Sequence, residues 1–184
     1  MAQVNGYVSV AHQTYNQWRA ATLGNGYNVD FQFGDQCWDY CALLYWQYNL
    51  TLITKAGGGV AADCWNFSRQ ANSRSPFISL TGKENIKRGD ILVFNTTATS
   101  STGHIAFADE DYRGNKIWTL GQMPTKQGLY GGVHRDEWSL NSFLGIFRNT
   151  LWTESPEPPT PTTTSTKKKF PWPVAWAHWS NFKH

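Results

Sequence analysis

The chain has 184 residues, of which 40% are hydrophobic and 16% are charged, enough apolar sequence for one folded domain with a core and an appendage. Its formal net charge of +3 is too small to indicate a nucleic-acid partner. The same mildly basic balance suits an anionic polymer, and the ten tryptophans offer flat faces for packing or binding.

The sequence contains no recognisable targeting segment. Residues 1–6 have neither a basic stretch nor an apolar core, so we expect no signal peptide. No apolar run approaches the length of a transmembrane helix. The three cysteines, Cys37, Cys41 and Cys64, form no zinc-ligand pattern, and their odd number predicts at least one free thiol. Cys41 lies one helical turn after Cys37 and is predicted to pack in the core.

Composition divides the chain into three parts. Residues 1–152 are predicted as one domain, residues 153–169 as a Pro/Thr-rich linker ending in three lysines, and residues 170–184 as an aromatic tail. Three tryptophans of the tail fall on one helical stripe: Trp172, Trp176 and Trp179. A basic, tryptophan-rich stripe is typical of segments that bind membrane surfaces or anionic polymers. The alternatives are docking on its own domain or on a second copy, and disorder.

Helical patterns come first along the chain and strand patterns follow. Apolar residues recur at helical spacing in three segments, which are predicted as helices: residues 8–21, 37–49 and 60–71. Short apolar runs behind glycine turns predict four strands: residues 90–95, 104–109, 116–120 and 144–148. Helices followed by antiparallel strands indicate an α+β fold.

Two residues in these elements have the chemistry of a nucleophile and its base. Cys37 stands where a loop enters a helix, and the unpaired N–H groups and partial positive charge there are predicted to lower the pKa of the thiol. The same N–H groups can stabilise an oxyanion, and the Gln36 side chain can add a donor. His104 opens a predicted strand behind Gly103, where its imidazole can serve as a base. Either residue alone is more often structural, so the hypothesis depends on both together.

Three short motifs resemble the CHAP family in the same order along the chain. Residues 36–39 (QCWD) resemble its nucleophile segment, residues 88–94 (RGDILVF) its turn and strand, and residues 103–107 (GHIAF) its catalytic-histidine strand. The resemblance covers roughly residues 28–148. It implies a papain-like fold in which N-terminal helices pack on an antiparallel sheet, with Cys37 as nucleophile and His104 as base.

The resemblance also implies an activity and a place of action. CHAP enzymes cleave peptidoglycan as N-acetylmuramoyl-L-alanine amidases or endopeptidases, so bacterial peptidoglycan is the expected substrate. The tail at residues 167–184 would then suit an anionic wall polymer or the membrane surface. A short chain without a signal peptide resembles a bacteriophage endolysin, made in the host cytoplasm and acting at the cell wall, or a lysin carried in the virion.

The third catalytic member departs from the family pattern. In the family a carboxylate or amide at the end of the next strand orients the histidine, typically within a Glu-Gln-Asn stretch. The matching stretch here is Gly121-Gln122-Met123, which leaves Gln122 as the candidate, although strand alternation points it away from the histidine. Asp109 and Glu110 are the alternatives. The departure keeps open a second hypothesis, a catalytically weak or inactive module that binds the wall or builds a virion.

The loop before Cys37 is a candidate calcium site. Hard oxygen donors recur at alternate positions in this loop, with a glycine for a sharp turn, which suits calcium. Some phage CHAP enzymes carry a calcium loop in this segment, and the resemblance implies ligation by Asn28, Asp30 and Asp39 side chains and by the Gln32 carbonyl. Asparagine at position 28, where aspartate is more usual, predicts weaker binding. The alternative is a plain polar loop with Asp39 as a helix-start charge.

Overall fold

A computed structural model describes residues 14–32, 34–53, 59–68, 75–98, 100–123 and 132–153. Within these residues the helices are α1 (Tyr15–Thr22), α2 (Cys37–Gln47) and α3 (Asp63–Ser68). The strands are β1 (Phe77–Leu80), β2 (Ile91–Phe94), β3 (His104–Ala108), β4 (Lys116–Gly121), β5 (His134–Ser139) and β6 (Phe143–Asn149). Short 3-10 turns lie at Lys83–Asn85 and Leu140–Ser142.

The six strands form one antiparallel sheet in the order β1-β6-β2-β3-β4-β5. Strands β2 and β3 lie in the middle and are buried along their whole length, which explains their continuous apolar sequences. The α+β fold, with helices packed on an antiparallel sheet, is therefore confirmed. Within the described residues, no helix has the length and apolar character needed to cross a membrane.

Two strands of the sheet were not predicted from the sequence. β1 has four residues, and β5 alternates half-buried and exposed residues without an apolar run, so neither gives the signal that identified the other strands. Parts of the predicted helices, residues 8–13 and 69–71, lie outside the described residues. So do the predicted linker after residue 153 and the aromatic tail.

One face of the sheet carries the helices. Helix α2 is almost entirely apolar, and its residues from Tyr40 to Tyr45 are buried. Its Tyr40 ring meets Phe107 of β3 edge-on at 5.0 Å between centroids and stacks on Trp18 of α1 at 5.7 Å. This aromatic packing holds the start of α2 against β3, where the candidate catalytic residues lie.

The opposite face of the sheet has its own smaller core. Most buried residues of this core lie at alternate positions of the strands, because successive side chains point to opposite faces, and two come from the 3-10 turns or beside them. They are Ile86, Leu92, Phe94, Ala108, Ile117, Leu140 and Ile146. His104, which pairs with Phe94 in register, and the half-buried Trp138 belong to this face. The His104 side chain and the helices thus lie on opposite faces of the sheet.

Candidate active site

The first turn of α2 is tied to the preceding loop through Asp39. The Asp39 side chain is buried, its Oδ2 accepts a hydrogen bond from the Gln36 N–H at 3.0 Å, and its Oδ1 accepts one from the Val29 N–H at 2.9 Å. Gln36 has extended backbone and is the N-cap, so the helix begins at Cys37 as predicted. These hydrogen bonds therefore fix the position of the first helical turn, and with it the direction in which its free N–H groups point beside Cys37.

The half-buried Cys37 thiol lies among backbone N–H groups. Burial raises the pKa of this thiol above its usual value, and the negative charge of Asp39 adds to the rise. The N–H groups of Ile105, Trp38 and Cys37 itself lie within hydrogen-bonding reach and oppose this effect without cancelling it. The lowered thiol pKa expected from the helix start is therefore wrong, because desolvation outweighs the helix N-terminus.

His104 is the first residue of β3, one residue before the point where the strand meets the candidate nucleophile. The Cys37 thiol contacts the N–H of Ile105, the residue directly after His104. Burial lowers the pKa of His104 to about 3, and the positive charge of His134 contributes in the same direction. The imidazole is therefore neutral at neutral pH, which is the form that can accept a proton.

The His104 ring is held between apolar groups. Trp138 of β5 stacks on it with ring centroids 3.9 Å apart and planes 7° apart, and the Phe94 ring lies 6.0 Å away. Gly121 of β4 borders the Nε2 edge, because a Cβ atom at this position would lie 3.7 Å from Nε2. Within the described part of the chain, no hydrogen bond reaches the ring. The departure at Gly121 thus leaves the imidazole without the polar orienter that the resemblance implied.

Gln122 points to the other face of the sheet, as strand alternation indicates. Its Oε1 accepts a hydrogen bond from the Tyr27 N–H at 3.1 Å, and its Nε2 donates to the Tyr27 carbonyl and, at 2.8 Å, to the Gln36 carbonyl. The side chain is completely buried and does not contact the His104 ring. The role of imidazole orienter therefore does not fit Gln122, which instead holds the loop at Tyr27 against the N-cap of α2.

The alternative orienters, Asp109 and Glu110, are engaged elsewhere. The buried Asp109 accepts hydrogen bonds at 2.8 Å from Nε of Arg19 and from Nε of Arg135. The Tyr15 hydroxyl donates to the same carboxylate at 3.0 Å. Glu110 accepts a bond at 3.1 Å from a backbone N–H of β4. Asp109 therefore ties α1 and β5 to the end of β3, and neither carboxylate contacts His104.

Three residues beside His104 were missed because β5 was not predicted. His134, Asp136 and Trp138 alternate along β5 and share the face of the sheet that carries His104. The His134 ring contacts the Gly132 carbonyl through Nδ1 at 2.8 Å and Asp136 Oδ2 through Nε2 at 2.7 Å. The alternation of these three side chains with charged, exposed neighbours was the one available sequence signal.

The predicted calcium ligands lie in one loop beside the first turn of α2. Asn28 Oδ1 is buried without a hydrogen-bond partner among the described residues. Asp30 Oδ1 accepts a bond from the Gln32 N–H at 2.8 Å. Burial raises the pKa of the Asp39 carboxyl to about 6, and the charge of Asp30 adds to the rise. A buried orphan oxygen beside two repelling carboxylates fits a hard cation.

The calcium fit depends on amide and carbonyl oxygens as well as carboxylates. Among the described residues, no group of three or more His, Cys, Asp or Glu side chains could hold a metal ion. The predicted ligand set contains two carboxylates, Asp30 and Asp39, and both oxygens of Asp39 already accept backbone hydrogen bonds. Calcium bound here would therefore contact Asp39 oxygens that also accept hydrogen bonds from the backbone N–H groups of Val29 and Gln36.

A thiol at the start of a helix packed on an antiparallel sheet, with a histidine opening the adjacent strand, defines the papain-like class of fold. Residues 22–123 match the CHAP domain family, and the chain belongs to this family. The fold that the sequence motifs implied is thereby confirmed.

The chain is also similar to a curated phage protein and to a solved endolysin structure. The chain is 31% identical over 126 residues to the D-alanyl-L-alanine endopeptidase of Streptococcus phage B30, over 66% of this chain and 26% of that protein. Its fold is similar to the solved structure of the wild-type endolysin LysIME-EF1, with a TM-score of 0.53 and 17% identity over 73% of this chain and 62% of that one. The chain thus spans about a quarter of the curated relative and under two thirds of the solved structure.

Proposed function

We propose that this chain is a peptidoglycan hydrolase that cleaves an amide bond through Cys37 and His104. The observation that carries the proposal is the contact of the Cys37 thiol with the Ile105 N–H, which brings the start of α2 to the residue after His104. Membership of the CHAP family supports both the hydrolase class and a peptidoglycan substrate.

In the proposed reaction, the Cys37 sulfur attacks the carbonyl carbon of the amide while the His104 imidazole takes the thiol proton. The carbonyl oxygen becomes an oxyanion, which the Cys37 N–H and the Gln36 side-chain amide stabilise. His104 then returns the proton to the leaving amine, and the acyl group remains on Cys37 as a thioester. Water, which gives a proton to His104 as it attacks, hydrolyses the thioester and restores the thiol.

The electrostatics favour a neutral thiol and a neutral imidazole in the resting site, so proton transfer has to accompany the attack on the substrate. The pKa of the thiol is raised and that of His104 is lowered, so both groups are neutral in the resting site. A stable thiolate–imidazolium pair is therefore disfavoured before substrate arrives. The N–H groups around the sulfur would stabilise negative charge as it develops in the transition state.

The bond to test first is a peptide bond. The phage B30 relative is named a D-alanyl-L-alanine endopeptidase, which favours a linkage between D-alanine and L-alanine in the peptide part of the wall. The second candidate is the N-acetylmuramoyl-L-alanine amide. We propose the phage endolysin role, with release of progeny by host lysis, because the similar proteins include a phage enzyme and an endolysin. A virion-associated lysin would use the same chemistry.

One observation favours a second candidate function. His104 has no polar partner among the described residues, and Gly121 offers none at its Nε2 edge. A member that has lost its orienter can persist as a weak enzyme or as an inactive wall-binding or virion structural module. This candidate requires the wall to be bound but not cut.

Clearing of purified Gram-positive cell walls separates the two candidates. We expect the wild-type chain to clear walls and Cys37→Ala to bind them without clearing. Cys64→Ala is the matched control, because Cys64 is completely buried in the core. Equal clearing by Cys37→Ala would reject the nucleophile, and binding without clearing by the wild type would favour the structural module.

We also propose that Asn28, Asp30, Gln32 and Asp39 bind calcium weakly and thereby fix the loop before Cys37. The orphan Asn28 oxygen supports this proposal. Calorimetric titration with calcium should give heat with the wild type and much less with Asp30→Asn. No binding by the wild type in the millimolar range would reject it.

The tail at residues 167–184 lies outside the described residues, and its predicted role remains a proposal. Its lysines and tryptophans would bind an anionic wall polymer or the membrane surface. Deleting residues 167–184 should weaken binding to intact walls without changing turnover of soluble fragments. Unchanged binding would reject this role.

A further inference from the structure

We propose that Trp138 is the positioning residue for His104, and that it replaces the polar orienter missing from β4. The inference deepens the proposed function and rests on it, because it concerns how the base of that reaction is held. It follows from three observations: the stacking of the two rings, the glycine between their strands, and the engagement of the nearby polar groups elsewhere.

The two rings make a close, flat contact. Their centroids lie 3.9 Å apart with planes 7° apart, and the half-buried indole also packs against Phe94 at 5.6 Å. Rotation of the imidazole about its Cβ–Cγ bond would drive ring atoms into the indole face. Stacking therefore selects the ring plane, which a hydrogen-bonded carboxylate or amide would otherwise do.

Gly121 leaves the Nε2 edge of the imidazole without a side chain from β4, the strand between the two rings. His104 lies on β3 and Trp138 on β5, with β4 between them in the sheet. A Cβ atom at Gly121 would lie 3.2 Å from the Ala106 Cβ and 3.7 Å from His104 Nε2. A long side chain here would occupy the space beside the imidazole. The glycine thus offers no polar orienter from β4 and leaves the stacked Trp138 ring as the contact that sets the imidazole plane.

The polar groups of β5 do not take this role. His134 is the register partner of Gly121, but its two ring nitrogens face the Gly132 carbonyl and Asp136. Asp136 is in turn directed to His134. Trp138 is therefore the β5 residue whose direct contact with the His104 ring can fix its orientation.

Substitutions at Trp138 test the inference through the separation of kcat from KM on soluble peptidoglycan fragments. Trp138→Met keeps apolar bulk but removes the flat face, and we expect kcat to fall at least about tenfold with KM changed less than about threefold. Trp138→Phe keeps a flat ring and should retain most of kcat. The matched control is Trp118→Leu, since Trp118 of β4 points to the opposite face and packs on Arg135. A wild-type kcat in folded Trp138→Met would overturn the inference.

A measurement on the wild-type chain keeps the test independent of folding in the variants. The indole ring current should shift the His104 ring protons strongly upfield in the proton NMR spectrum, because the rings are 3.9 Å apart. Unshifted His104 protons would overturn the inference even if every Trp138 variant unfolded. Cys37→Ala is assayed in parallel: its activity would reject the proposed function, whereas its inactivity with unaffected Trp138 variants would reject this inference alone.

Discussion

The region of the proposed nucleophile, at the start of α2, and the region of the proposed base, at the start of β3, are held by different contacts. Around Cys37, the geometry comes from backbone groups: the first turn of α2, the Ile105 N–H, and the Asp39 bonds that fix the loop. Around His104, it comes from side chains of other strands, chiefly the Trp138 ring. The geometry around Cys37 therefore comes from local backbone structure, whereas the support of the His104 ring comes from a strand that is not its neighbour in the sheet.

The largest effect expected within this comparison is loss of the base. His104→Ala should lower kcat/KM by about a hundredfold to ten-thousandfold, the usual contribution of a general base. His134→Ala should lower it far less, because His134 does not contact the reacting atoms in the proposed reaction. Fragment release from soluble peptidoglycan measures both, and equal losses would contradict the assignment of His104 as base.

The next effect concerns Gln122, which holds the loop at Tyr27 against the N-cap of α2. Gln122→Ala would leave the Tyr27 N–H, the Tyr27 carbonyl and the Gln36 carbonyl without their buried partner. We expect the free energy of unfolding to fall by about 3 kcal/mol, because each buried unpaired group is costly. Urea unfolding measures this, with Met123→Ala as the control at a 39% exposed position. A stable Gln122→Ala with altered pH dependence of kcat would instead restore Gln122 as an orienter.

Alkylation of Cys37 tests the resting charge state of the two regions. Since the thiol pKa is raised and that of His104 is lowered, the rate with iodoacetamide should climb with pH through the alkaline range, without a plateau from a thiolate at mildly acidic pH. Cys41 and Cys64 are completely buried, so Cys37→Ala supplies the background rate. Fast labelling at about pH 6 would show a preformed ion pair and contradict the neutral resting site.

The smallest effect concerns the calcium loop. The pKa of Asp39 is raised to about 6 in the folded chain, above its usual 3.8. The protonated carboxyl therefore adds to the free energy of unfolding at low pH, and this contribution is lost as the pH rises through 6. Calcium needs the ionised carboxylate and should raise the melting temperature more at pH 7.5 than at about pH 5. Asp30→Asn should reduce the shift at the higher pH. An equal shift at both pH values would remove Asp39 from the ligand set.

The parts of the site that sequence predicts well are those set by local structure. Cys37 begins α2 because Gln36 caps a run of apolar helix formers, and His104 begins β3 behind a glycine with positive φ at Gly103. The thiol pKa was predicted in the wrong direction, because the burial that raises it depends on tertiary packing around Cys37, which the local sequence does not show.

The remaining features depend on contacts between distant parts of the chain. The polar sequence of β5 gave no strand signal, so the stacking of its Trp138 on His104 could not be predicted. Likewise, the partners of Asp109 come from α1 and β5, which no local pattern of residues connects. Such contacts are set by the order of strands in the sheet, which follows from the fold as a whole.

Mass spectrometry of purified peptidoglycan after digestion tests the central claim most directly. The account predicts new free amino groups in fragments released by the wild-type chain, at one defined amide bond, and none after digestion with folded Cys37→Ala. New reducing sugar ends, or the same amide cleavage by Cys37→Ala, would contradict the assignment of this chain as a cysteine amide hydrolase.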